Sequence, residues 1–428
     1  MIANLYQHYL KCRKINTDTR QIDHGSIFFA LKGPKFNANE FASEALAKGA
    51  SFAVIDDARY REDERYILVD NVLKTLQELA RHHRDQLNIP VIGLTGSNGK
   101  TTTKELINAV LSRKYNVLAT KGNLNNHIGV PLTVLSILED DHDMAIVEMG
   151  ANHVGEIQQL CEIANPTHGL ITNIGKAHLE GFGGYEGVIR AKSELYHHLI
   201  RTSGVVWINS QNEVLNNMAK RFANPLFYPA KGDYYHCEFL KASPFVEVEA
   251  ENGEHITTQL IGKYNFENIA VALCIGKFFN VPEDEANQAV AEYTPQNNRS
   301  QIIRKGSNMV ILDAYNANPS SMALAIENLA QMEARHKIVI LGDMKELGPE
   351  SASEHEKLGA ELSGKHLTDI YLCGELIQPA EKHLSRAHYF PTKVELIEAL
   401  KTVKFKDAVI LVKASRSLGL EDVVEYIR

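Results

Sequence analysis

No stretch of the sequence is apolar for the length of a membrane span, so insertion in a bilayer is not expected. Cysteine is scarce. The five residues, Cys12, Cys161, Cys237, Cys274 and Cys373, are scattered and never form a C-x-x-C pair. That usage fits reduced, buried thiols in a cytoplasm better than disulfides or zinc. Basic charge is not in excess: the formal net charge is −8, the wrong sign for a surface that grips nucleic acid. The start, MIANLYQHYLKCRK, lacks the charged leader and long apolar core of a signal peptide. There is no short-period repeat, no low-complexity tract and no G-x-S-x-G nucleophile elbow. A soluble cytoplasmic protein is expected, and with no interface pattern in view, a monomer.

What is present is a long alternation of strand and helix signals. Hydrophobic residues make up 44% and charged residues 23%, a globular balance, and 428 residues imply about two to four domains. In residues 1–87, SIFFAL and SFAVID read as strands, while NEFASEALAKGA and NVLKTLQELARHHRDQL carry helical spacing. Asn88-Ile89-Pro90 breaks the chain. From 88 to 297, DMAIVEMG, THGLITNIG and SGVVWINS are short apolar strands between helices, the mark of a parallel sheet whose ligands lie at the strands' carboxyl ends. PFVEVEAENGEHITTQLIG alternates in period two about Asn252-Gly253 and predicts an antiparallel hairpin. The polar YTPQNNRS at 293–300 reads as a linker. Strands NMVILDAYNANP, HKIVILGDM, TDIYLCG and DAVILVKAS then make a third α/β domain over 298–428.

The most informative stretch is VIGLTGSNGKTTT, residues 91–103. A buried strand runs into a loop of Thr95, Gly96, Ser97, Asn98 and Gly99, and Lys100, Thr101 and Thr102 open a helix. Glycines let backbone N–H groups approach a phosphate, the helix N-terminus adds positive potential, Lys100 reaches the terminal phosphates and Thr101 is placed to ligate Mg²⁺. The spacing is G-x-x-G-K-T, with Leu94 where the longer pattern has its first glycine. The bland alternative is a glycine-rich turn with a chance Lys-Thr; flanking strand and helix signals weigh against it.

Three further residues stand out. Glu148 ends the strand AIVEMG, where a carboxylate is costly unless it meets a cation; its bland reading is an acid facing water. His178 follows the next strand in NIGKAHLEGFG, and a lone histidine is usually a satisfied polar residue. Lys192 lies in IRAKSELYHHL, where a surface lysine is the default reading.

Taken together and in order, TGSNGKTTT, GNLNNHIGVP, EMGANHVGEI, NIGKAHLEGFG, RAKSEL, GKYNFENIAVAL, Arg299, LDAYNANPSSM, LGDMKELG and VKASRSLGLEDVV resemble the Mur ligase family of peptidoglycan synthesis. The resemblance spans essentially the whole chain. It implies a three-domain α/β architecture: a small α/β uridine-nucleotide-binding domain, a central P-loop parallel-sheet ATPase domain and a C-terminal Rossmann-like domain. It also implies ATP and Mg²⁺ as cofactors. YNANP with LGDMKELG points to the family's addition of D-alanyl-D-alanine to UDP-N-acetylmuramoyl-tripeptide, and the Asp-Asn-Pro-Arg motif of the diaminopimelate-adding branch is missing.

Residue by residue, the resemblance implies that Lys100 contacts the β/γ-phosphates and that Thr101 and Glu148 hold a first Mg²⁺. His178 is expected to ligate a second, helped by Lys192 carrying a carbamate. Asn265 and Asn268 match adenine-binding positions, and a carboxamide can both donate and accept. Arg299 matches the inter-domain arginine near the γ-phosphate. Asp313, Tyr315, Asn316, Asn318 and Ser321 line the loop expected to face the ribose and the incoming amine; Lys413, Ser415 and Arg416 are expected near the second substrate's carboxylate. Asn126 in GNLNNHIGVP, and Thr19 and Arg20 in TDTR, are further substrate-binding expectations. Asn37-Ala38-Asn39 departs from the family's frequent Asp-Gly-His.

Two alternatives stay open: another Mur-type or folylpolyglutamate synthase-like ATP-dependent amino-acid ligase, and a non-catalytic nucleotide-binding regulator. The site is split about the linker, with phosphate loop before it and YNANP and KAS loops after it. The expectation is therefore a third domain that swings about Arg299 and rests open, with Lys413 and Asn316 too far from Lys100 to share one substrate.

Overall fold

A computed structural model describes residues 1–296 and 298–428; the boundary expected at 297 falls outside the described residues. Three parallel or mostly parallel sheets follow one another along the chain. The first has four parallel strands, Ile15–Asn16, Ile27–Phe29, Phe52–Ile55 and Tyr66–Leu68, in that order across the sheet.

The second sheet has six parallel strands. Across it lie Leu226–Tyr228, Val205–Asn209, His168–Ile171, Val91–Thr95, Met144–Glu148 and Val117–Ala119. The period-two alternation of a strand divides its side chains between two cores. Val91, Ala145, Val147 and Ile171 face the helices Glu156–Ala164 and Tyr185–Thr202, while Ile92, Leu94, Ile146 and Leu170 face Lys100–Leu111 and Asn265–Phe278. Covered on both faces, these strands read as nearly continuous apolar runs, which is why they are visible in the sequence.

The first core continues into the N-terminal region through Leu5, Tyr9 and Leu76. Tyr9 donates to the Leu135 carbonyl at 2.6 Å, and His83 Nε2 lies 2.7 Å from the Ile137 carbonyl. Burial holds the His83 pKa below the usual imidazole value.

The third sheet runs Gln301–Lys305, Asn308–Leu312, Ala408–Lys413, His336–Gly342, Asp369–Cys373 and Ala387–Phe390. All pairings are parallel except the first hairpin. The carboxyl ends of Asn308–Leu312 and Ala408–Lys413 point their following loops at the carboxyl edge of the central sheet, and that opposition builds the site.

The structure adds elements to the sequence reading. The expected hairpin, Phe245–Glu249 with His255–Ile261, gains Glu238–Ala242 as a third antiparallel strand. Ile2–Cys12 is a helix whose apolar positions Leu5, Tyr6 and Tyr9 are buried. All five cysteines are free thiols; Cys161, Cys237, Cys274 and Cys373 are buried and Cys12 is half-buried. No helix among the described residues is long and apolar enough to cross a membrane.

Candidate active site

The phosphate loop takes its shape from two glycines. Gly96 has φ +150°, and a Cβ there would come within 1.9 Å of Thr172 Oγ1; Gly99 has φ +78° and starts the helix Lys100–Leu111. No side chain caps that helix, so its first N–H groups stay available to an anion. The loop is staked by the neighbouring strand end. Asn98 N donates to Asn173 Oδ1 at 3.0 Å, Asn173 Nδ2 donates to Asn98 O at 3.1 Å, and Ser97 Oγ donates to Gly175 O at 3.0 Å. Lys100 Nζ curls onto the carbonyls of Gly96 at 2.7 Å and Ser97 at 3.3 Å. Burial lowers the Lys100 pKa; Glu148 opposes the shift and Arg299 adds to it.

Glu148 ends its strand beside the loop, in register with Leu94, and is 1% exposed. Thr101 Oγ1 donates to one carboxylate oxygen at 3.0 Å and Asn125 Nδ2 to the other at 2.8 Å. A threonine hydroxyl and a carboxylate on the wall of a cavity are hard oxygen donors, the kind a Mg²⁺ ion uses when phosphate and water complete its shell. The pair therefore fits such an ion. Among the described residues no group of three or more His, Cys, Asp or Glu side chains is placed to hold a metal ion.

Lys192 is not the surface lysine that its helical setting suggests. It is 2% exposed, with Nζ 5.2 Å from the Phe182 ring centroid, and its pKa is brought down to about 7, chiefly by burial with the Lys100 charge adding. Two residues on, Glu194 accepts from the N–H groups of Gly155 at 2.6 Å and Gln158 at 2.9 Å, tying this helix to the segment after Glu148. His178 has φ +53° and pairs with Glu346 of the third domain, which holds the Glu346 carboxyl below its usual range.

The open arrangement is not what the structure shows. Lys100, Thr101, Glu148, His178, Arg299, Asp313, Asn316, Asn318, Ser321 and Lys413 line one cavity of about 460 Å³. The halves are held by direct bonds: Asn318 to Asn98 at 2.9 Å, Lys176 N to Ser320 Oγ at 2.9 Å, Lys176 to Glu354 at 3.4 Å, and His178 to Glu346. A polar linker permits rotation, but polar groups on the two loops satisfy one another here.

Ser97, Asn98, Gly99, Thr102, Asn126, Asn265 and Asn268 also line that cavity. Asn268 accepts from Thr103 at 2.9 Å and donates to Asn265 Oδ1 at 2.9 Å, which joins both asparagines to the phosphate-loop helix. Asn98, Gly99, Tyr264 and Asn268 face a second cavity too, of about 1280 Å³, with Phe266, His236 and Lys263 on its walls.

Other expected residues lie off the first cavity's lining. Thr95, Gly96, Lys192 and Ser415 are behind it, and Arg416 pairs with Glu421 at 2.8 Å. Thr19 and Arg20 belong to the first domain, where Arg20 pairs with Asp18 at 2.5 Å and its side chain is 86% exposed. Lys413 lies beneath the third-domain loop, 2.5 Å from Asp313, and donates to Asn316 O at 3.1 Å. In place of Asp-Gly-His, Asn39 is buried and exchanges two hydrogen bonds with Asp56, at 2.9 and 3.0 Å, while Asp56 pairs with Lys32 at 2.7 Å. Sequence reasoning missed Asn125, Asn173 and Glu346. All three sit inside stretches already quoted, Asn125 in GNLNNHIGVP, Asn173 at the head of NIGKAHLEGFG and Glu346 in LGDMKELG; what no local signal gives is the pairing of Glu346 with His178 on another domain.

Residues 94–276 match the Mur ligase middle domain and residues 298–416 the Mur ligase, glutamate ligase domain. The UDP-N-acetylmuramoyl-tripeptide–D-alanyl-D-alanine ligase of Bacillus subtilis is 34% identical, covering 99% of this chain and 95% of its own. A crystal structure of MurF from Acinetobacter baumannii superposes with a TM-score of 0.87 at 30% identity, over 99% of this chain and 98% of that one. MurF ligase from Thermotoga maritima in complex with ADP gives 0.86 at 28% identity, over 97% of each chain. With whole-length similarity of this kind on top of the phosphate-loop geometry, the chain belongs to the Mur ligase family.

Proposed function

We propose that this protein is an ATP-dependent amide ligase that joins D-alanyl-D-alanine to UDP-N-acetylmuramoyl-tripeptide. The observation that carries the reading is the single cavity in which the phosphate loop and Thr101–Glu148 pair of one domain face the 313–321 loop of another. Relatives named for this reaction match the chain over nearly its whole length.

A carboxylate is a poor electrophile, so it is first activated. A carboxylate oxygen of the tripeptide attacks the γ-phosphorus of ATP; the bond to the β,γ-bridging oxygen breaks and ADP leaves. The dipeptide's amine then attacks the acyl carbon, the amine loses a proton, and phosphate leaves as the amide forms. In this reading Lys100 takes the β- and γ-phosphates, and the uncapped N–H groups at the start of its helix take the same anion; both Lys100 and the loop line the cavity. Thr101 and Glu148 would hold Mg²⁺, which supplies charge neutralisation on phosphate oxygens. Asn268 lines both cavities, with Asn265 hydrogen-bonded to it on the wall of the smaller, which suits adenosine in the larger and phosphates in the smaller. Lys413 fixes Asp313 and the Asn316 backbone, so its role is to hold the acceptor loop in shape.

For Lys192 and His178 the reading is a second cation site. Burial favours the neutral Lys192 amine, which can add to CO₂ and lose a proton to become a carbamate anion. The first domain takes the uridine nucleotide, and the protein acts as a monomer in the cytoplasm.

The test gives the purified protein ATP, Mg²⁺, D-alanyl-D-alanine and each of two UDP-muramoyl tripeptides, ending in lysine or diaminopimelate. Formation of the pentapeptide nucleotide with one ADP per amide is expected from at least one. ATP turnover without amide from either would overturn the reading and favour a nucleotide-binding regulator.

A further inference from the structure

The inference concerns how Arg299 is held, and it rests on the ligase reading above. The Arg299 guanidinium carbon lies 3.6 Å from the centroid of the Tyr315 ring, a face-on contact at van der Waals distance. Both side chains line the cavity that contains Lys100. Asp313, on the wall of the same cavity, pairs instead with Lys413. Among the described residues no carboxylate pairs with Arg299.

That choice of partner has a chemical consequence. A carboxylate would fix the guanidinium by taking two of its N–H donors and neutralising its charge. An aromatic face fixes the guanidinium plane through its π cloud and leaves the five edge donors free for phosphate oxygens. Tyr315 is itself anchored to the segment it steadies, because its N–H donates to the carbonyl of Asn298, one residue before Arg299, at 3.3 Å. Arg416 approaches the same ring, its guanidinium carbon 5.7 Å from the centroid. One ring thus joins the inter-domain segment, the YNANP loop and the loop after the last strand.

We propose that Tyr315 is a positioning residue for the reaction: its ring face holds Arg299 aimed into the phosphate cavity without spending the arginine's charge or donors.

The test is a ring series in the full-length protein. Tyr315→Phe keeps the face, 3,4,5-trifluorophenylalanine at 315 keeps the shape but drains the face of electron density, and Tyr315→Leu removes the ring. Steady-state amide formation is measured with thermal melting. Relative to Tyr315→Phe, the fluorinated ring and the leucine should each lower kcat by roughly 3- to 30-fold. The KM for D-alanyl-D-alanine and the melting temperature of the fluorinated protein should stay close to those of the phenylalanine variant. Equal kcat for the phenylalanine and fluorinated rings would overturn the proposal, even if the leucine variant were too unstable to assay. A loss confined to KM would also overturn it. A wild-type protein that forms no amide would instead overturn the ligase reading.

Discussion

Asn318 does two jobs with one carboxamide: its Nδ2 donates to Asn98 Oδ1 in the phosphate loop at 2.9 Å, and its Oδ1 accepts from Ser321 N at 2.8 Å to cap the helix Pro319–Gln331. The two roles separate by substitution. Asp keeps the cap but loses the donor, so Asn318→Asp should melt close to wild type, while its new charge faces the phosphate cradle and lowers amide formation by about tenfold or more. Asn318→Ala loses both and should be destabilised by about 1 kcal/mol as well. Calorimetry and a coupled ADP assay on both variants check this; full activity in Asn318→Asp would sever the loop–loop bond from function.

Lys100→Ala should remove the reaction while leaving the fold. Among the described residues the Lys100 side chain bonds only to carbonyls of its own loop, so its deletion breaks no described hydrogen bond between domains. A fall in kcat of about 10²–10³-fold with an unchanged circular dichroism spectrum is expected. A folded variant with near-normal activity would remove Lys100 from the chemistry.

Lys192→Ala should lose most of its activity and regain part of it when short carboxylic acids are added, because they restore an anion beside Phe182. In the wild type, ¹³C-labelled bicarbonate should give a carbamate resonance that is missing from the variant. A Mg²⁺-loaded crystal showing a plain ammonium at Lys192 would contradict the second-cation reading.

His168 offers a pH prediction away from the chemistry. It stacks on Trp207, the only tryptophan, with ring centroids 5.6 Å apart, and burial lowers its pKa to about 4. The folded state therefore prefers the neutral ring. Stability is full above the unfolded value near 6.5 and is lost as pH falls from there toward about 4. Denaturant melts followed by Trp207 fluorescence should show this acid slope, and His168→Phe should flatten it. An unchanged slope in the variant would assign the acid loss to other groups.

Much of the architecture was legible because both faces of the central and third sheets are covered, so Val91–Leu94, Ala145–Val147 and Ile338–Leu341 appear as plain apolar runs. The phosphate loop was legible because its glycines answer a local backbone demand. What the sequence hid is long-range. Nothing near Lys192 signals that Phe182 and the core bury it, and nothing near Glu346 announces His178. The closed arrangement was likewise out of reach, since the Asn98–Asn318 bond spans 220 residues of chain.

Activation of the tripeptide by the γ-phosphate is the centre of the account, and isotope transfer tests it directly. Tripeptide nucleotide labelled with ¹⁸O in its terminal carboxylate is turned over with ATP and D-alanyl-D-alanine, and the inorganic phosphate is analysed by mass. The account predicts one labelled oxygen in phosphate for every amide formed, the other staying in the amide carbonyl. Amide formation with unlabelled phosphate, or with the label in AMP, would contradict it.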